Sequence, residues 1–125
     1  MITAVHTLIY AEDPEAARAF LRDVVGWPAT DTGGGWPVFR SGPSELGVHP
    51  SSWEYEGQKG STEQHFEISL MCDDLQQTMA ELTAKGARFR GGIVDQGWGL
   101  VTSLVVPGAG EVTLYQPQYD PPALQ

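Results

Sequence analysis

His6, His49, His65, Glu67 and Tyr115 carry the side chains in this sequence best suited to chemistry. Two imidazoles and one carboxylate can hold a divalent transition metal on one face and leave positions open for substrate oxygens. Glu67 lies in the apolar run His65–Cys72 (HFEISLMC), where an ionised carboxylate without a partner is costly. Metal ligation answers that cost; so does an ion pair with Arg40, Arg88 or Arg90. The Tyr115 phenol can donate to a substrate oxyanion or serve as an acid. It can equally be a core tyrosine. His65 shares the strand face of Glu67 and suits a supporting or surface role, while Glu45 and Glu111 flank turns and suit solvent. Of the four tryptophans, Trp53 and Trp98 lie in Gly-rich loops, which makes them pocket candidates. Gly33-Gly34-Gly35 lacks the strand-then-helix context of a phosphate loop and reads as a turn.

The elements that must position these groups follow from pattern. Ala4–Tyr10 (AVHTLIY) reads as a strand. Asp13-Pro14-Glu15 supplies an N-cap, a first-turn proline and a first-turn acid; Ala17, Phe20, Leu21 and Val24 recur at helical spacing, and Gly26 can end the helix. Short strands are expected over Trp36–Phe39 and Leu46–His49, with a loop or linker over residues 51–63. The pattern then recurs. His65–Cys72 is a strand, Asp73 or Asp74 caps a helix carrying Leu75, Met79 and Leu82, and Lys85-Gly86 closes it. Ala87–Arg90, Leu100–Val106 and Glu111–Tyr115 complete the second set of strands, and the tail from Pro117 is expected to be irregular.

The two halves align with each other. An offset of 61 lays His6 on Glu67, Asp13 on Asp74 and Leu21 on Leu82. An offset of 66 lays Val38–Leu46 over Leu104–Val112 and His49 over Tyr115. Repeats of this length are supersecondary units that bury apolar faces against a copy of themselves. The expected layout is a first module over about 1–52, a linker over about 53–63, a second module over about 64–117 and a tail over 118–125.

At 125 residues the chain has room for one domain with a core. Its composition, 41% hydrophobic and 18% charged, is that of a globular chain. A net charge of −9 makes nucleic acid and anionic membrane poor partners and leaves small molecules as the better expectation. No apolar stretch nears the roughly 20 residues that span a bilayer. With one cysteine, Cys72, and an opening that runs straight into a strand pattern, a reducing, cytoplasmic location is expected.

VHTLIYAEDPEAARAFLRDVVGW, the apolar strand ending in Asp, the helix ending in Lys-Gly-Ala and the closing strand leading into LYQP resemble the vicinal-oxygen-chelate superfamily. That superfamily contains glyoxalases, bleomycin-resistance proteins and extradiol dioxygenases. The resemblance covers nearly the whole chain and implies an α+β fold of two tandem βαβββ modules whose curved mixed sheets form a cup. It also implies a divalent metal held by inward strand side chains. His6 then matches the first-strand ligand and Glu67 its repeat equivalent. The last strand of each module usually supplies a glutamate, but Gly47 and Thr113 stand there, so the four-ligand glyoxalase set is absent. Strand parity sets His49 one pleat from Gly47, roughly 6.6 Å along. The expected metal set is therefore His6, His49 and Glu67, for Fe2+, Mn2+, Ni2+ or Zn2+. Tyr115 is the catalytic candidate; Trp53, Trp98 and Thr113 line the substrate pocket.

Two functions are open on this reading. One is a metal-dependent enzyme, dioxygenase-like or glyoxalase-like, acting on a small vicinal-oxygen substrate. The other is a metal-free drug-binding protein, favoured by the missing carboxylates, the acidic charge and the tryptophans. A homodimer is expected in either case, since half-open sheets leave edges and apolar rims to cover.

Overall fold

The computed structural model describes residues 7–9, 11–31, 37–45, 50–64 and 66–124, the side chains of Trp53, Tyr55 and Pro122 excepted. Within these, helix α1 (Pro14–Phe20) begins as the sequence requires. The Asp13 carboxylate accepts from the Ala16 N–H at 3.1 Å, Pro14 opens the first turn, and Glu15 pairs with Arg18 at 2.6 Å. The helix continues as a π-helical turn over Leu21–Val25, and Gly26 ends it. Two short strands follow, β1 (Ala29–Asp31) and β2 (Pro37–Phe39), paired antiparallel. Of the strand expected over Ala4–Tyr10, Thr7–Ile9 are described and lie outside any strand. The strand expected over Leu46–His49 falls outside the described residues.

The segment 51–63 corrects the sequence reading. Instead of a loop it forms a hairpin of β3 (Ser52–Tyr55) and β4 (Gln58–Ser61), with Tyr55 opposite Gln58. Glu56 (φ 50°) and Gly57 (φ 79°) make the two-residue turn, and positive φ at both central residues is what a tight, right-twisted hairpin demands. A polar, Gly-punctuated composition hid two strands that have little apolar face to alternate.

The second half folds as strand, helix and three strands: β5 (Ser69–Met71), α2 (Leu75–Ala84), β6 (Phe89–Asp95), β7 (Gly99–Val106) and β8 (Gly110–Pro117). They form one mixed sheet in the order β5-β8-β7-β6, with β5 parallel to β8 and the other pairs antiparallel. Parallel pairing requires a crossover, and α2 supplies it. Asp74 caps α2 by accepting from the Gln77 N–H at 3.0 Å. The side-chain oxygen of Gln116 on β8 accepts a second orphan N–H, that of Leu75, at 2.9 Å. The fold is thus α+β, the βαβββ cup expected from the sequence.

Strand β7 alternates between fully and partly buried residues, so its two faces differ. Leu104 and Val106, with Leu114 of β8, face a core built from Ala17 and Phe20 of α1, Leu75 of α2, and Ala87. Burying Leu75 and Leu104 completely contributes about 2 kcal/mol each. The core therefore joins the helix of the first half to the sheet of the second.

That junction is locked where the β7–β8 turn meets the start of α1. The Asp13 N–H donates to the Gly108 carbonyl at 2.9 Å. A Cβ on Gly108 would lie 2.4 Å from the Asp13 carbonyl oxygen and 2.8 Å from its Cβ, and φ there is +79°. Both the close approach and the left-handed backbone require glycine. Gly108→Ala is expected to cost about 2–3 kcal/mol and to lower Tm by roughly 6–12 °C. A thermal melt by circular dichroism checks it; an unchanged Tm means that α1 and the turn are not held together here.

Candidate functional site: the open face of the second-half sheet

The face of the sheet opposite the core is set by register. Thr113 of β8 lies between Ser69 of β5 and Ser103 of β7; Tyr115 lies between Met71 and Val101. Arg90 of β6 is paired with Ser103, and Glu111 with Val105. The face therefore changes character along β8. At one end Arg90 and Glu111 form an ion pair, with the Ser103 hydroxyl donating to Glu111 at 3.3 Å. The middle is a row of three neutral hydroxyls, Ser69, Thr113 and Ser103. The other end is aromatic.

At the aromatic end Tyr115 is 7% exposed and packs edge-on against Trp98, ring centres 5.2 Å apart. Gly99 makes this packing possible, since a Cβ there would sit 2.9 Å from the Gln116 carbonyl oxygen and 3.2 Å from the Tyr115 ring. The Tyr115 hydroxyl is 2.8 Å from that of Tyr119 and donates to Glu45 at 3.3 Å. Tyr119 also donates to Glu45, at 2.5 Å. One carboxylate from the first half thus gathers two phenols from the end of the chain. Partial burial, followed by the hydrogen bond to Glu45, holds the Tyr119 phenol well above the ordinary tyrosine value. Burial raises Tyr115 as well, with the Glu45 charge adding to it. Cys72 donates from its backbone N–H to the Tyr115 carbonyl at 2.9 Å, and burial pushes its thiol up, which makes it a poor nucleophile.

The structure thus brings Thr113, Tyr115 and Trp98 to one face. His6, His49 and His65 lie outside the described residues, as does the Trp53 side chain. Glu67 is exposed and precedes β5; it is not inside an apolar strand, because the strand expected over His65–Cys72 is regular only over Ser69–Met71. Among the described residues no ion pair joins Glu67 to Arg40, Arg88 or Arg90, and Arg90 is taken by Glu111. Sequence reasoning overlooked Tyr119 and took Glu45 for a solvated turn residue. Nothing in spacing signals a contact across more than 70 positions, and only the fold reveals it.

A divalent metal held in the manner of the glyoxalases needs a carboxylate at the Thr113 position of the last strand; Glu111, two residues before it, is held by Arg90. Thr113 offers a neutral hydroxyl flanked by two serines, and hard divalent ions prefer anionic oxygen. The nearest carboxylate toward the aromatic end, Glu45, already accepts both phenols through one oxygen and the Ala123 N–H through the other. The described donors do not fit the four-ligand set.

The sequence profile of the Glyoxalase/Bleomycin resistance protein/Dioxygenase superfamily matches residues 3–114. Among curated proteins no sequence matches. Solved structures share the fold. TnmS3, an antibiotic binding protein from Streptomyces sp. CB03234, is 20% identical at a TM-score of 0.57, covering 94% of this chain and 98% of its own. A lactoylglutathione lyase from Agrobacterium tumefaciens is 17% identical at a TM-score of 0.59, covering 92% and 94%. A superfamily member from Sphaerobacter thermophilus is 18% identical at 0.55, covering 92% and 98%. At such identities the likeness concerns the fold.

Raised phenols have a consequence for pH. A phenol held above its unfolded value near 10 stabilises the fold fully below that value. The contribution is lost as pH rises through the folded-state value. In an alkaline titration followed by phenolate absorbance, Tyr119→Phe and Tyr115→Phe should each remove late-titrating signal. Glu45→Gln should shift Tyr119 back toward the ordinary value. Unchanged titration in Glu45→Gln would mean that the carboxylate does not engage the phenols.

Proposed function

The chain belongs to the Glyoxalase/Bleomycin resistance protein/Dioxygenase superfamily, and we propose that it binds a small amphipathic molecule in its cup without a metal. The observation that carries this reading is the row Ser69–Thr113–Ser103 beside the Tyr115–Trp98 pair. Neutral hydroxyls can hydrogen-bond a polar group on the ligand, and the rings can stack its planar part. The net charge of −9 favours a cationic ligand. The antibiotic-binding neighbour supports a sequestering role by likeness of fold alone. Tyr115 then serves as a hydrogen-bond donor to the ligand, and Trp53 and Trp98 as walls.

Metal-free bleomycin and a planar cationic acridine are suitable probes. Each should quench tryptophan fluorescence saturably, equally with and without chelator. Trp98→Phe should remove most of that quenching, and Thr113→Val should weaken binding about 5–10-fold through a lost hydrogen bond. Absence of saturable quenching by either probe, or its abolition by chelator, rejects the reading.

The second reading is a metal-dependent enzyme of the dioxygenase or glyoxalase kind, its ion held by His6, His49 and Glu67. What favours it is Glu67, an exposed carboxylate with no arginine pair among the described residues. Here stoichiometric uptake of Fe2+, Mn2+, Ni2+ or Zn2+ is expected, weakening as pH falls through the imidazole range. Each of His6→Ala, His49→Ala and Glu67→Gln should lower occupancy, while His65→Ala should not. Full occupancy in both His49→Ala and Glu67→Gln sinks the assignment.

We further propose a homodimer, supported by the exposed β6 edge with Ile93 (42%) and Val94 (53%), and by Phe66 (94%). Light scattering that gives a monomer mass at high concentration would overturn it. No helix among the described residues is long and apolar enough to cross a membrane, and a cytoplasmic location is proposed with the single Cys72 in view.

A further inference from the structure

The chain beyond β8 turns back over the open face. At its root the Gln118 N–H donates to the Trp98 carbonyl at 2.8 Å. Tyr119 then reaches Glu45 at 2.5 Å and Tyr115 at 2.8 Å. Pro122–Leu124 form a 3-10 turn, closed by the Leu124 N–H on the Pro121 carbonyl at 3.0 Å. Inside that turn the Ala123 N–H donates to the other oxygen of Glu45 at 3.5 Å. A single carboxylate therefore holds the segment at two points, one oxygen for each.

The cover this makes is one layer thick. Tyr115 is 7% exposed, yet Trp98 and Tyr119 above it are 50% and 40% exposed. The segment adds no residue to the buried core, and Gln118, Tyr119 and Asp120 are exposed. Hydrogen bonds hold it, with little apolar burial, and segments of that kind open at far lower free energy than the core they rest on. Glu45 also has no cationic partner among the described residues, so the phenols and the amide are its described partners.

We infer that residues 118–124 form a strap that closes the cup over Tyr115, and that Glu45 is its latch. With the latch engaged, the aromatic end of the site is covered and the Tyr115 hydroxyl is occupied internally. With it released, Tyr119 swings away, and the phenol and the Trp98 face become available to a planar ligand. Tyr119 and Glu45 thereby decide what reaches Tyr115. The inference rests on the reading of the cup as a ligand site, but closure itself is measurable with no ligand present.

Hydroxyl-radical footprinting of the full chain, read by mass spectrometry at Tyr115, tests it. Tyr115 should be protected in the wild type. Labelling should rise on the order of three- to tenfold in Glu45→Gln and in Tyr119→Ala. Tyr119→Phe keeps the ring and removes the hydroxyl, so it should give an intermediate rise and guards against a folding defect in the alanine variant. Backbone amides of β7 and β8 should keep their hydrogen-exchange protection throughout. Unchanged Tyr115 labelling in Glu45→Gln and Tyr119→Phe overturns the strap. So does a rise accompanied by loss of β7–β8 protection, which would make the cluster a part of the core. If labelling rises as expected while the acridine probe binds neither wild type nor variants, the strap stands and the ligand reading fails.

Discussion

The register of β8 is the constraint on which the rest of the structure depends. It pairs in parallel with β5 on one edge and antiparallel with β7 on the other, and side chains along it alternate between two environments. Leu114 is fixed toward the core, and Thr113 and Tyr115 toward the open face. A slip of one residue would bury the threonine and tyrosine under the helices and expose the leucine. Burial of Leu104 and Leu114 against Phe20 and Leu75 therefore holds the site in place from the opposite face of the sheet.

Two polar contacts reinforce that register from outside the ladder. Gln116, one residue beyond Tyr115, caps the first turn of α2 through its side chain, so helix and strand cannot slide independently. At the far end the β7–β8 turn receives the Asp13 N–H, and only a glycine lets the two backbones approach so closely. Asp13 serves twice, capping α1 with its carboxylate and bonding the turn with its amide. The first half is thus bound to the second by a helix cap, a core and the Glu45 clasp.

Those parts of the fold with a local cause were legible in the sequence. Asp13-Pro14-Glu15 and the pair Asp73-Asp74, of which Asp74 is the cap, announced two helix starts, and the β-branched, apolar run Leu100–Val106 announced β7. Parity along β8 put Thr113 and Tyr115 on one face, as found. What lacked a local cause was missed. The β3–β4 hairpin is polar on both strands, and its turn uses Glu56 at positive φ where asparagine would have been recognisable. Strand β6 runs to Asp95, beyond the expected Arg90, because a register shift between Arg90 and Val94 lets the strand continue past Gly91 and Gly92. Glu67 was assigned to a strand interior because its neighbours are apolar, yet Phe66 beside it is 94% exposed. Hydrophobicity there reports an uncovered surface and not a buried strand.

The neutral floor of the cup and the carboxylate at its rim are two sides of one arrangement. In a metal cup the negative charge belongs at the centre, where the ion neutralises it. Here the central position on β8 is Thr113, and Glu45, the carboxylate bonded to the aromatic end, has its oxygens taken by hydrogen bonds from two phenols and an amide. Hydrogen bonds to a charged acceptor are stronger than neutral ones. On the metal-free reading proposed above, such a site forgoes the Lewis acidity that fixes a substrate for chemistry. On that same reading the proposed strap is a cover that opens and re-forms, and the aromatic wall owes its affinity to shape and preorganisation. The proposed capture and release then rests on residue choice at two positions, the neutral Thr113 on β8 and the Glu45 carboxylate that gathers both phenols.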